Sequence, residues 1–131
     1  LMVGVNDWVQ DISTFVFEKN FTSILKVLID RVGFESVFVL NIPDFSYAPE
    51  GAQYARGRDI SKGIQELNRI IAELCNQHKI LWIDVHQYSK LMKSEDYLAS
   101  DKLPPSEKLY SIWTNQIFNS LKTSNFQQLF R

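Results

Sequence analysis

At 131 residues the chain has room for one domain with a sizeable core, and 45% of it is apolar. Fourteen Lys and Arg against fifteen Asp and Glu leave a net charge of −1, which gives no electrostatic reason for a nucleic-acid or anionic-membrane partner. One cysteine, Cys75, excludes an internal disulfide and a multi-cysteine metal site; two isolated histidines, His78 and His86, do not make a zinc pattern, so no cofactor or metal is expected. The apolar runs are strand-sized, far short of a membrane span, and no segment has the basic, apolar and small-residue order of a signal peptide.

Leu1-Met2-Val3-Gly4-Val5 is a short continuous apolar run and predicts a strand buried on both faces. Phe17, Phe21, Ile24, Leu25, Leu28 and Val32 recur at three- and four-residue steps and predict an amphipathic helix, with Gly33 placed to end it. Val37-Phe38-Val39-Leu40 with Ile42 predicts a second strand stopped by Pro43. Residues 44–58 are rich in Pro, Gly, Tyr and Ala and show no period; a connection of that length is more often functional than plain.

Ile64, Leu67, Ile70, Ile71 and Leu74 predict the next helix, with Cys75 a small buried residue on it and His78 at its C-terminal end. Ile80-Leu81-Trp82-Ile83 with Val85 predicts a third strand, and residues 87–100 a loop or short helix. Ser106 is placed to cap a last helix that buries Leu109, Ile112, Trp113, Ile117 and Leu121. The tail, 123–131, holds Phe126, Leu129 and Phe130 and is expected to dock.

Apolar strands alternating with helices predict a single α/β domain, three-layered α/β/α around a parallel sheet, with the middle of the three strands central. Right-handed crossovers place the loops after the strands on one edge, where ligands of such sheets bind. Asn6-Asp7, Pro43-Asp44 and Asp84-Val85-His86 all fall there.

Gly4-Val5-Asn6-Asp7 after the first run and Asp101-Lys102-Leu103-Pro104-Pro105-Ser106 before the last helix resemble, in order and spacing, two blocks of the SGNH, or GDSL-type, serine esterases and lipases. Leu40-Asn41-Ile42-Pro43-Asp44 resembles that family's fourth strand, Trp82-Ile83-Asp84-Val85 its fifth, and Leu109-Tyr110 with Trp113 the start of its final helix. The resemblance runs from Leu1 to about Leu121. It implies a flavodoxin-like sheet and acyl transfer from a carboxylic ester of a lipid or carbohydrate. There a serine attacks the acyl carbon, a histidine moves its proton, an aspartate orients the histidine, and fixed donors hold the oxyanion. It implies Asn6 as an oxyanion donor and Asp101 as the orienting aspartate, with Gly4, Asp7, Asp44 and His86 at the edge of the site.

Three features depart from the family. No Gly-Asp-Ser nucleophile block occurs, nor the segment that carries the family's glycine donor, so the domain is expected to be truncated at its N-terminus, with upstream strands missing. Pro104 stands where the family has its histidine, and proline has no titratable group with which to act as a base. His86 is the one histidine placed to substitute, against the favoured reading of a surface histidine after a strand. Asn6 and Asp7 equally close a turn, Asp101 equally bonds its own loop, and the aromatic stretch 44–49 either borders the site or only packs.

Two readings stay open: an esterase by descent, inactive as it stands, whose ligand is a small ester, or a non-catalytic α/β remnant that uses the sheet edge as a binding surface. Under either, the first strand exposes a flat apolar edge that invites a second copy or another chain.

Overall fold

In the computed structural model, which describes residues 1–124, the chain runs α1 (Val5–Val9), α2 (Thr14–Val32), β1 (Phe38–Leu40), α3 (Ile60–Gln77), β2 (Leu81–Ile83) and α4 (Glu107–Lys122). Short 3-10 turns fill the connections at Phe34–Ser36, Phe45–Tyr47, Gly51–Tyr54, His86–Lys93 and Glu95–Tyr97.

The three long helices start where their capping residues stand. Ser13 Oγ accepts from Val16 N at 3.2 Å, Asp59 Oδ1 from Lys62 N at 3.0 Å, and Ser106 Oγ from Leu109 N at 3.4 Å. Each satisfies an amide that the first helical turn leaves without a partner. Gly33 ends α2 at φ 82°, a conformation that a side chain would strain.

Burial follows the predicted faces unevenly. α3 buries Ile60, Ile64, Leu67, Ile70, Ile71, Leu74 and Cys75, the whole predicted stripe and more. α4 buries Leu109, Trp113 and Leu121, with Ile112 and Ile117 half-buried. α2 buries Phe17, Phe21 and Leu25, but Ile24 and Val32, predicted for the same face, are 38% and 54% exposed. Each large apolar side chain that is fully buried contributes roughly 1.5–3 kcal/mol, so α3 is the most strongly anchored of the three.

The sheet corrects the expected fold. β1 and β2 pair in parallel, Phe38 with Leu81, Val39 with Trp82 and Leu40 with Ile83, and they are the only strands among the described residues. The third predicted strand, residues 1–5, is not one. Leu1 alone bonds to β1, donating to Phe38 O and accepting from Leu40 N, both at 2.9 Å; the chain then turns at Gly4 into α1. A mostly helical chain around two three-residue strands is not a three-layer α/β/α sandwich, nor a flavodoxin-like sheet. Three residues per strand make too little ladder to organise layers, and the core is instead held by helix faces. The docking expected of the tail, from residue 125 on, lies outside the described residues.

Candidate functional site

A pocket of about 360 Å³ opens between α1, the loop after β1, the segment before α4, and α4 itself. Its walls include Val5 and Val9 of α1, Pro43 and Phe45 after β1, and Met92, Leu103, Tyr110 and Trp113. Asn6 and Asp101 line it as well, and so do Pro104 and Pro105. No serine, histidine, cysteine, lysine or arginine among the described residues does.

Five-residue α1 is too short to stand on its own propensity, so tertiary contacts hold it. Gly4, buried at φ 124°, makes the turn into it; a Cβ there would come 2.5 Å from Ile42 Cδ1. Trp8 points inward and meets Phe45 edge-on, ring centres 5.7 Å apart. On α3, Gly63 leaves the space in which the Trp8 indole lies; a methyl group there would overlap Nε1. Arg58 clamps the far end. Its guanidinium lies 3.9 Å over the Trp8 ring and donates to Trp8 O at 2.7 Å, Val9 O at 3.3 Å and Asp11 Oδ1 at 3.2 Å. A cation on the last carbonyls of a helix also suits its dipole. The result fixes Val5, Asn6 and Val9 at the pocket.

Asp101 comes from the tip of a small hairpin. Leu98 and Pro105 form an antiparallel bridge, Ala99 N donates to Pro104 O at 2.8 Å, and Ser106 N to Tyr97 O at 2.9 Å. The turn closes through Lys102 N to Ala99 O at 2.8 Å, with Lys102 left-handed at φ 61°. Lys102 pairs with Glu95 at 3.1 Å rather than with Asp101 beside it. Asp101 itself is exposed, and no hydrogen bond or ion pair among the described residues involves its carboxylate.

The other sequence-predicted positions lie elsewhere. Gly4 and Asp7 line a second depression, of about 320 Å³, formed by residues 2–7. Asp44 is buried and acts as structure: Oδ1 accepts from Ser46 N at 3.0 Å and Oδ2 from Ser61 Oγ at 2.5 Å. His86 belongs to a polar cluster at the ends of the strands. Its Nδ1 stands 3.0 Å from Ile42 O, an acceptor, and 3.2 Å from Asn68 Nδ2, a donor, so either tautomer leaves Nδ1 with a partner. In the same cluster Asn41 accepts from Val85 N at 2.8 Å and His86 N at 3.0 Å and donates to Asp84 at 2.9 Å. Asn68 bonds Ile42 N and O, both at 2.8 Å.

Cys75 is fully buried, and loss of water around the thiol pushes it up to about 12, which keeps it neutral and unreactive at ordinary pH. His78 caps α3, its N–H bonded to Leu74 O at 3.1 Å.

Sequence reasoning missed Arg58, Tyr54, Met92 and Gly63. A lone Arg in an aperiodic loop carries no local signal of the carbonyls it will reach, and Gly63, read as a helix residue, gives none of the indole that covers it. Trp113 was expected only as core; it lines the pocket, and its Nε1 is the one buried side-chain polar atom without a partner among the described residues. No helix among them is long and apolar enough to cross a membrane. Comparison of the chain with protein-family models, with curated proteins and with solved structures finds no match.

Proposed function

We propose that this chain is a GDSL-type carboxylic-ester hydrolase domain by descent, and that it binds a small ester in the pocket between α1 and α4 without turning it over. The observation that carries this reading is the meeting of Asn6 and Asp101, from opposite ends of the chain, in one apolar pocket with Pro104 in the same wall. The sheet departs from the family's layered fold, so support comes from the site and not from the architecture.

The pocket offers an acyl group apolar walls that exclude water, and it offers the ester carbonyl the Asn6 side-chain amide as donor. It offers no attack on that carbonyl. Pro104 holds no proton acceptor where a base is needed, and His86 is bonded into the strand-end cluster instead of lining the pocket. Binding without turnover follows, which joins the esterase ancestry to the second reading, a binding module.

The test is a titration of the isotope-labelled chain with ethyl hexanoate, followed by amide shifts. Shifts centred on Val5, Asn6, Leu103 and Trp113, weakened several-fold by Asn6→Ala, are expected. Release of p-nitrophenol from p-nitrophenyl butyrate is expected to equal that of a heat-treated control. Amide shifts elsewhere on the molecule, or none at millimolar ester, would remove the pocket from the proposal. Turnover abolished by Asn6→Ala would remove the inactive half.

The partner expected at the edge beyond Leu1 belongs to the same proposal. Met2 is 38% exposed beside Leu1, the one residue of the first five that bonds to β1, and a second copy is expected to pair at this short apolar edge although it forms no strand. A monodisperse monomer in light scattering at 100-fold above ~1 µM, the lower end of ordinary self-association, would contradict it.

A further inference from the structure

We propose that the pocket selects an organic cation, a quaternary ammonium group carried by its ligand, so that the ester it takes is of the choline type; the ester part rests on the reading above. Among the described residues four aromatic side chains line the space: Phe45, Tyr54, Tyr110 and Trp113. Tyr110 and Trp113 meet edge to face, ring centres 5.4 Å apart at 89°, which turns the faces of the two rings in different directions. Met2 and Met92 add polarizable thioethers. The faces of aromatic rings attract cations, and the attraction grows as water is removed.

Elsewhere in the molecule the protein fills such positions with its own cations. Arg58 covers Trp8, Lys93 stands 5.1 Å from the centre of Tyr47, Lys108 4.5 Å from Tyr97, and Lys122 4.2 Å from Phe118. None of these cations sits on the four pocket rings, and no Lys, Arg or His among the described residues lines the pocket.

Charge points the same way. Among the described residues Asp101 is the pocket's one charged residue, and its carboxylate has no partner there, since the neighbouring Lys102 is taken by Glu95. The carboxylate that ester cleavage would release meets repulsion there. A primary ammonium is strongly hydrated and demands hydrogen-bond acceptors that apolar walls do not supply; a trimethylammonium group is weakly hydrated, presents methyl groups to the rings, and keeps its charge near Asp101.

Isothermal titration with three probes tests this: butyrylcholine, its uncharged carbon isostere 3,3-dimethylbutyl butyrate, and phenyltrimethylammonium. Butyrylcholine is expected to bind about tenfold more tightly than the isostere, the scale of a partly desolvated cation–ring contact. Asp101→Asn and Tyr110→Leu, both at exposed side chains, should each reduce that ratio several-fold. An isostere that binds as well as butyrylcholine, or a ratio untouched by Asp101→Asn, overturns the inference. The two proposals separate cleanly. Both esters binding without preference sinks the cation alone, phenyltrimethylammonium binding while neither ester does sinks the ester reading alone, and no binding by any probe sinks both.

Discussion

Two groups of polar residues, one at the ends of the strands and one at the pocket, are treated in opposite ways. Around Asn41, every polar atom that the fold buries has been given a partner: the Asn41 amide, Asp84, Asn68 and the Nδ1 of His86 tie the ends of β1 and β2 to α3. Around the pocket, Asn6 and Asp101 are exposed, and among the described residues the Asp101 carboxylate is left without a partner beside apolar and aromatic walls. A saturated network stabilises and has nothing left to offer a ligand. Groups held in place by backbone, yet unsatisfied, are free to bind one. Such pairing, more than residue type, separates His86, read from sequence as a site residue, from Asp101, which remains a candidate.

Breaking the first group should be costly. Asn41→Ala removes the acceptor of one buried and one part-buried amide and the donor to Asp84, so a loss of ~2–4 kcal/mol is expected in urea unfolding. A change below about 0.5 kcal/mol, the range of an inert surface substitution, would mean that water replaces the side chain and that the contrast is overstated. Gly63→Ala comes next. The added methyl overlaps the Trp8 ring, so α1 must shift, at about 1–3 kcal/mol and with altered near-ultraviolet dichroism. An unchanged spectrum would show that α1, and with it Asn6, is not positioned through Trp8.

Cys75 sharpens the buried side of the comparison through pH. The unfolded thiol ionises near 9.0, whereas burial raises the folded one to about 12. A raised acid pKa means that the folded state holds the proton longer, so stability falls as pH rises from about 9 towards 12, by at most about 1.4 kcal/mol per unit. Cys75→Ala should flatten that alkaline slope; a slope of the same size in the variant would assign it to other groups. The smallest effect is expected at the pocket, where Asp101→Asn should move stability by no more than about 0.5 kcal/mol. A larger loss would place Asp101 among the structural carboxylates with Asp44.

How much could be read in advance depended on the range of the forces involved. α2, α3 and α4 are written in spacings of three and four residues, and the last of them also in its cap at Ser106; the caps at Ser13 and Asp59 emerged only with the structure. The two strands are legible as apolar runs because both sit in the core. Leu1–Val5 is the same kind of run and became something else. Five apolar residues fit a strand or the approach to a helix equally well, and the choice fell to Gly4, the Trp8 slot at Gly63 and the Arg58 clamp. With that segment went the layered sheet. Sequence alone determined the three long helices, the cap of the last one at Ser106, the paired strands and the two blocks that carry Asn6 and Asp101. Only the tertiary structure decided that both blocks face one pocket, that Tyr54 and Met92 join its walls, and that Asp44 and His86 do not, because those outcomes rest on contacts between residues that no local pattern links.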